Sequence, residues 1–302
     1  MFPKNLTFFR FPATIDFSAV DELLPLVALK PVGALEMSSR GFVSPFGREE
    51  RSLLSHTVSK VLWLTIGGQD KILPATVINE TLAARLEALE QNEGRKPGGR
   101  ERKRLKDDVL HELLPRAFVK LSRTDAYVDL QHGYVAVDTS SRKSGENVMS
   151  DIRGMLGSFP AMPLNAEVAP RAILTAWLAG EPMPIGLSLG EACELKDPAE
   201  GGAVLRAKHQ ELGAEEIANH LDAGKQVTQL ALVFDDSLSF VLGDDLIVRQ
   251  LKFLDGALDQ LQDIDEEGRR AELDARFALS SGEIRRLFLL LEQVFKLSKV
   301  EG

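Results

Sequence analysis

Apolar positions along the chain change period several times, and each change predicts an element. Leu6-Thr7-Phe8-Phe9-Arg10-Phe11 reads as an opening strand. Val61-Leu62-Trp63-Leu64-Thr65-Ile66 reads as a second, ended by Gly67-Gly68. From Pro74 the period becomes helical: Ile78, Leu82, Leu86 and Leu89 share one face, with Glu80, Glu87 and Glu90 elsewhere. Gly94 to Gly99 interrupts this helix. A second helix starts near Arg100 with a stripe of Leu105, Val109, Leu110, Leu113 and Leu114, and Pro115 ends it. The pair predicts an αα-hairpin with a basic tip, projecting from the strands on either side.

Strands resume at Ala126 to Leu130 and Tyr134 to Asp138, with Gln131-His132-Gly133 as a tight turn. A short helix is expected from Ser18, disturbed at Pro25, and others at Glu146 to Leu156 and Ala172 to Leu178. Pro160, Pro163, Pro170, Pro182 and Pro184 mark an irregular connector. Beyond it come a strand from Ala203 to Lys208 and a helix from Ala214 to Leu221, stopped by Ala223-Gly224. Val227 to Phe234, Ser237 to Leu242 and Leu246 to Phe253 predict an antiparallel meander turned at Asp235-Asp236 and Gly243-Asp244-Asp245. A final helix is expected from Gly282 to Lys296. Helices and strands are segregated without βαβ alternation, which predicts an α+β fold with antiparallel sheets.

Composition changes this picture in one respect. With 302 residues, 44% hydrophobic, the chain can bury a core without staples. Its one cysteine, Cys193, excludes an internal disulfide framework and points to a reducing compartment. The N-terminal residues lack the pattern of a signal peptide, and no apolar run is long enough to span a membrane. The net charge of -9 argues against a polyanionic partner, but the charge is unevenly placed. Arg95 to Lys106 holds Arg95, Lys96, Arg100, Arg102, Lys103, Arg104 and Lys106 against Glu101 alone, whereas Asp255 to Asp274 is strongly acidic. One basic face on an acidic exterior suits a nucleic acid held in one orientation; the plainer reading is a solvated, charged hairpin.

Motifs for catalysis are weak. Gly186-Leu187-Ser188-Leu189-Gly190 matches a nucleophile elbow, but the preceding Glu181-Pro182-Met183-Pro184-Ile185 cannot be a central strand, so a loop is expected. His111-Glu112-Leu113-Leu114-Pro115 lacks the second histidine of a zinc motif. Asp235, Asp236, Asp244 and Asp245 are explained by the turn preference of aspartate. No phosphate-binding or dinucleotide loop is present. No enzyme activity, cofactor or metal is expected. Two segments remain. Leu113-Leu114-Pro115-Arg116-Ala117-Phe118 ends a helix on an arginine and an aromatic residue. Strand alternation from Arg206 places Arg206, Lys208 and Gln210 on one face, where cations and an amide contact phosphate oxygens.

Taken together, these segments carry a resemblance over essentially the whole chain. Lys4-Asn5-Leu6, Gly41 to Gly47, Lys71-Ile72-Leu73-Pro74, Leu105 to Leu110, Leu113 to Phe118, Leu156-Gly157-Ser158, Val204 to Leu212, Ala223 to Thr228, Leu251-Lys252-Phe253 and Asp274 to Phe277 occur in the order seen in the bacterial recombination-associated RdgC family, which the chain resembles. The resemblance implies a homodimer closed into a ring by two interfaces, with a positively charged hole for duplex DNA bound without sequence preference. It implies restraint of the RecA recombinase by occupation of its DNA, in the cytoplasm and on the nucleoid, with no membrane partner. It divides the chain into a central α+β domain (1–73 with 119–162), a helical finger (74–118) and a C-terminal base (163–302). Lys208 and Gln210 would face DNA with His209, Arg206, Arg102 and Lys103 beside them, and Phe118, next to Arg116, would sit at the contact that closes the ring. His209 stands where the family usually has a second lysine, so a charge is lost there at neutral pH. Gly213-Ala214 replaces a capping Thr-Ser pair, and Pro97-Gly98-Gly99 a more continuous charged helix. The competing reading is a protein-interaction module that acts directly on a recombination partner, with DNA binding secondary.

Overall fold

A computed structural model describes residues 2–47, 51–199, 201–259 and 269–300. In chain order its elements are β1 (Thr7–Arg10), α1 (Val20–Leu23), β2 (Ser38–Val43), β3 (Ser55–Val58), β4 (Val61–Ile72), α2 (Ala75–Glu93), α3 (Gly99–Leu113), β5 (Phe118–Asp129) and β6 (Tyr134–Val137). There follow α4 (Arg142–Leu156), β7 (Met162–Pro163), α5 (Pro170–Leu178), β8 (Leu187–Lys196), β9 (Val204–Lys208), α6 (Glu215–Asp222), β10 (Gln226–Phe234), β11 (Leu238–Gly243), β12 (Val248–Phe253), α7 (Asp255–Leu258) and α8 (Arg269–Phe295). The fold is α+β with antiparallel sheets. One sheet runs β2-β4-β5-β6-β1-β7 with β3 paired to β4; the other runs β12-β11-β10-β8-β9.

The chain divides into two units. The first is drawn from Met1–Leu24, Ser44–Thr65 and Thr124–Gly302. Its core forms where α8 meets both sheets. Phe288 stacks on Tyr134 at 4.0 Å and tilts against Phe8 at 5.6 Å, while Phe277 lies 5.2 Å from Trp63. Ser237 in the turn before β11 donates to Glu283 of α8. The two sheets are also joined directly, Leu6 and Val248 exchanging backbone hydrogen bonds of 2.8 and 3.0 Å. That bridge covers the β12 edge, which would otherwise expose unpaired backbone groups.

The second unit is drawn from Pro25–Val43 and Ile66–Arg123 and contains α2 and α3. The apolar face of α2 is half-buried throughout and none of its residues is fully buried; α3 buries Val109. Arg85 of α2 pairs with Glu112 of α3. Gly94, in the left-handed region at φ 65°, ends α2.

Several boundaries differ from the sequence expectation. β4 passes through Gly67-Gly68 and continues to Ile72. These glycines do not stop the strand, because Gly67 makes room: a Cβ there would lie 2.7 Å from Val43 Cγ1 and 2.9 Å from Leu29 Cδ2. The nucleophile-elbow match is not a loop, since Leu187 onward is strand β8, with Ser188 opposite Val233. β5 starts at Phe118, well before Ala126, and α8 starts at Arg269, not Gly282. The Asp235-Asp236 turn is as expected, both residues taking positive φ (47° and 52°).

Candidate nucleic-acid interface

The five-stranded sheet buries one face and leaves the other as an open trough of about 850 Å³. From Thr228 onward the burial along β10 alternates, with Leu230, Leu232 and Phe234 inside and Gln229, Ala231 and Val233 on the trough side. The trough floor is made of small residues: Gly190, Ala192, Ala231, Val233, Ser239 and Val241. Its first rim is β9 with Arg206, Lys208 and His209. Across the sheet, Gln250 and Lys252 of β12 form the other rim.

Register explains how these residues meet. Lys208 lies opposite Ala192, and Arg206 opposite Glu194, which in turn faces Gln229. On the far side Lys252 lies opposite Ser239. Arg206 Nε donates to Glu194 Oε2 at 2.6 Å, and Thr228 Oγ1 donates to Glu194 Oε1 at 2.8 Å. The Arg206 bond outweighs the opposing effect of burial and, with help from Thr228, holds the Glu194 carboxyl below its ordinary range. Arg206 therefore arrives at any phosphate already paired. Lys208 is exposed and has no hydrogen bond or ion pair among the described residues.

The expected face of Arg206, Lys208 and Gln210 is corrected at its last member. β9 ends at Lys208, and His209 turns into the left-handed region at φ 53°. The alternation is lost there. Gln210 does not line the trough; its side chain donates to Glu216 at 3.0 Å, and its backbone N–H donates to the Glu191 carbonyl at 3.3 Å. Ala214, at the N-cap of α6, makes no side-chain cap.

In the second unit, Arg102 and Lys103 lie exposed on α3, as do Arg100, Arg104 and Lys106, their side chains without hydrogen bonds or ion pairs among the described residues. Arg95 is different. Glu101 accepts its hydrogen bonds at 2.9 and 3.2 Å and Glu93 pairs with it at 2.6 Å, which raises its pKa and spends its charge internally. Arg116 is exposed in the turn before β5. Phe118 opens β5 at 84% exposure, near in sequence to the exposed Val119 and Leu121. Of the acidic stretch from Asp255 to Asp274, residues 260–268 lie outside the described residues.

Turn aspartates are met by guanidinium groups: Asp235 by Arg286, Asp244 by Arg171 at 2.5 Å and Asp245 by Arg249 at 2.6 Å. Among the described residues, no group of three or more His, Cys, Asp or Glu side chains is placed to hold a metal ion. No described helix is long and apolar enough to cross a membrane. Sequence reading missed Gln229, Gln250 and Lys252, because only the pairing of β9-β8-β10-β11-β12 brings them beside Lys208.

Comparison with known proteins adds identity to this geometry. The family described as "Putative exonuclease, RdgC" matches residues 1–298. The chain is 75% identical over 301 residues to the recombination-associated protein RdgC of Stenotrophomonas maltophilia (strain R551-3), covering 100% of both chains. It is 71% identical over 301 residues to that of Xanthomonas axonopodis pv. citri and 71% identical over 302 residues to that of Xanthomonas campestris pv. campestris, again covering 100% of both chains.

Proposed function

The chain belongs to the RdgC family of recombination-associated proteins, and we propose that it binds duplex DNA without reading sequence, as a homodimer closed into a ring around the helix. The observation that carries this reading is the unpaired Lys208 on the rim of an open, small-residue trough. The free cations of α3 add to it. Phosphate contacts need no base-edge donors and give no sequence preference. In this reading the chain comprises a central domain (1–73 with 119–162), a projecting helical finger (74–118) made of α2 and α3, and a base (163–302). Occupying duplex DNA on the nucleoid limits RecA-dependent recombination without chemistry on the DNA. An enclosing inner wall also reconciles the -9 net charge with a polyanionic ligand, since only that wall needs positive potential.

The direct test compares retention on nicked circular and linear duplexes of equal length under a salt challenge. The ring reading expects the circle to be retained longer and log affinity to fall linearly with log salt. Equal loss from both forms overturns encirclement, and a salt-insensitive affinity overturns phosphate binding. Strand shortening in the presence of magnesium would replace the binding-only reading with the exonuclease of the family description.

Ring closure is assigned to Phe118. Phe118 is 84% exposed, and aromatic side chains are enriched at the cores of protein contacts. Phe118→Ser is expected to give a dimer of larger hydrodynamic radius and to abolish preferential retention on circular DNA. Size-exclusion and retention both unchanged would remove Phe118 from the contact.

A further inference from the structure

We infer that the second rim of the trough, Gln250 and Lys252 of β12, belongs to the same phosphate-binding surface as Lys208, so that a sugar–phosphate strand crosses the sheet from β9 to β12. This rests on the duplex-binding reading above and adds residues that the sequence order does not connect.

A sheet face that meets solvent ordinarily carries long polar side chains. Here the three central strands present Gly190, Ala192, Ala231, Val233, Ser239 and Val241. Packing at the floor is tight: a Cβ on Gly190 would stand 3.0 Å from the Ala231 Cβ. The floor thus leaves an approach from outside unobstructed. Four inter-strand steps of about 4.8 Å set the rims roughly 19 Å apart along the sheet, enough for more than one phosphate. A volume of about 850 Å³ admits a stretch of one strand, not the cross-section of a helix.

Charge then selects the occupant. The trough carries Arg206, Lys208 and Lys252 against Glu191 and Glu194, a net of +1 with His209 neutral, on a chain whose net charge is -9. Arg206 and Glu194 neutralise one another at 2.6 Å. What is left unpaired among the described residues is one ammonium on each rim, Lys208 and Lys252, and the single carboxylate of Glu191, all three exposed, so the cations outnumber the anion two to one. Two amides lie with them. The side chains of Gln229 and Gln250 have no hydrogen bond among the described residues, and each amide carries N–H donors that suit phosphate oxygens.

Backbone geometry supports the second rim. The register between β11 and β12 shifts between Ser239 and Val241, and Gln250 sits in that irregularity at φ 54°. A bulge re-aims the residues around it, and a non-glycine residue with positive φ is uncommon. The irregularity falls at Gln250, and Lys252, the next rim residue, keeps its regular place opposite Ser239.

The test uses the full chain and a fluorescent duplex of mixed sequence, with anisotropy read across a salt series. Lys208→Gln and Lys252→Gln are each expected to lower the slope of log affinity against log salt by about 0.9 per subunit that contacts the duplex, and the double variant by about 1.8 per subunit. A second variant, Ala231→Phe, fills the floor and removes no charge. It is expected to weaken binding about tenfold or more while the circular dichroism melt stays cooperative. If Lys252→Gln keeps the wild-type affinity and slope while Lys208→Gln does not, the second rim is excluded and duplex binding through β9 stands. If Ala231→Phe changes the oligomeric state and spares DNA binding, the trough is a protein contact and the inference falls. Failure of the wild-type chain to bind duplex at low salt would overturn the underlying functional reading itself.

Discussion

Neutralising Arg102, Lys103 and Lys208 together as glutamines should abolish duplex binding near physiological salt. The three side chains are exposed and unpaired among the described residues, so their charges are free to meet phosphates. Each phosphate contact contributes about 0.9 to the salt slope, so the triple variant should lower that slope by about 2.7 per subunit that contacts the duplex and the affinity by a hundredfold or more. Stability should hardly change, because exposed substitutions away from caps and cores stay within about 0.5 kcal/mol each. The measurement is anisotropy across a salt series, with a thermal melt of the same samples. Arg206→Gln serves as an internal contrast. Arg206 is already bonded to Glu194, so its removal frees a carboxylate in the trough while deleting a cation. It should weaken binding at low salt more than a simple count of phosphate contacts predicts. If the triple variant still restrains recombination and captures a protein partner while DNA binding is lost, the interaction-module reading replaces the DNA one.

Part of this molecule is legible in the sequence alone. The helical period of Ile78, Leu82, Leu86 and Leu89 places α2 well, and the Gly94 to Gly99 break separates it from α3. The meander from Gln226 to Phe253 follows from alternation and paired turn aspartates. Local signals of this kind depend on neighbours a few residues apart, which sequence displays directly. Long-range effects were hidden. Gly67 and Gly68 read as a strand end because the Val43 and Leu29 side chains that crowd Gly67 lie far off in sequence. β8 was missed since Gly186-Leu187-Ser188-Leu189-Gly190 carries two glycines, weak strand formers, and gains its strand from β9 and β10 on either side. The early half of β5, Phe118 to Arg123, is exposed on both faces, so no burial pattern marked it. At the candidate site Lys208 could be placed by alternation from Arg206. The same rule misplaced Gln210, because the positive φ of His209 is invisible in a one-letter string. Lys252 joins Lys208 only through four strand pairings, and no spacing rule reaches that far.

Removing Arg285 should be the most destabilising single change at a polar site, and its effect should depend on pH. Asp129, at the end of β5, is 0% exposed. Burial pushes its carboxyl up, but the Arg285 hydrogen bond and the donors of the following turn outweigh burial and hold it below its ordinary value. Those donors are Arg285 Nε at 2.7 Å and the backbone N–H groups of Gln131 and His132, both at 2.9 Å. Arg285 also donates to the Ser59 carbonyl at 2.9 Å, tying α8 to the turn between β3 and β4. Arg285→Ala takes the guanidinium from a buried carboxylate and leaves only the His132 ring, 3.2 Å away, beside it; breaking a buried pair in this way costs about 3–5 kcal/mol. The pH dependence follows from the sign of the shift. A carboxyl whose folded pKa is depressed stabilises the fold above the unfolded pKa of about 3.9, and that stabilisation is lost as pH falls through the folded pKa. Without Arg285 the burial effect prevails and the folded pKa rises, so the variant should begin to lose stability at a higher pH than the parent. Urea melts of both proteins from pH 7 downward measure this directly. Parallel profiles, offset by a constant amount with no shift in acid onset, would mean that Arg285 contributes packing and the Ser59 bond alone. Asp129→Asn sharpens the reading: it keeps a carbonyl oxygen for the turn N–H groups, removes the charge, and should flatten the acid limb while Arg285 remains in place.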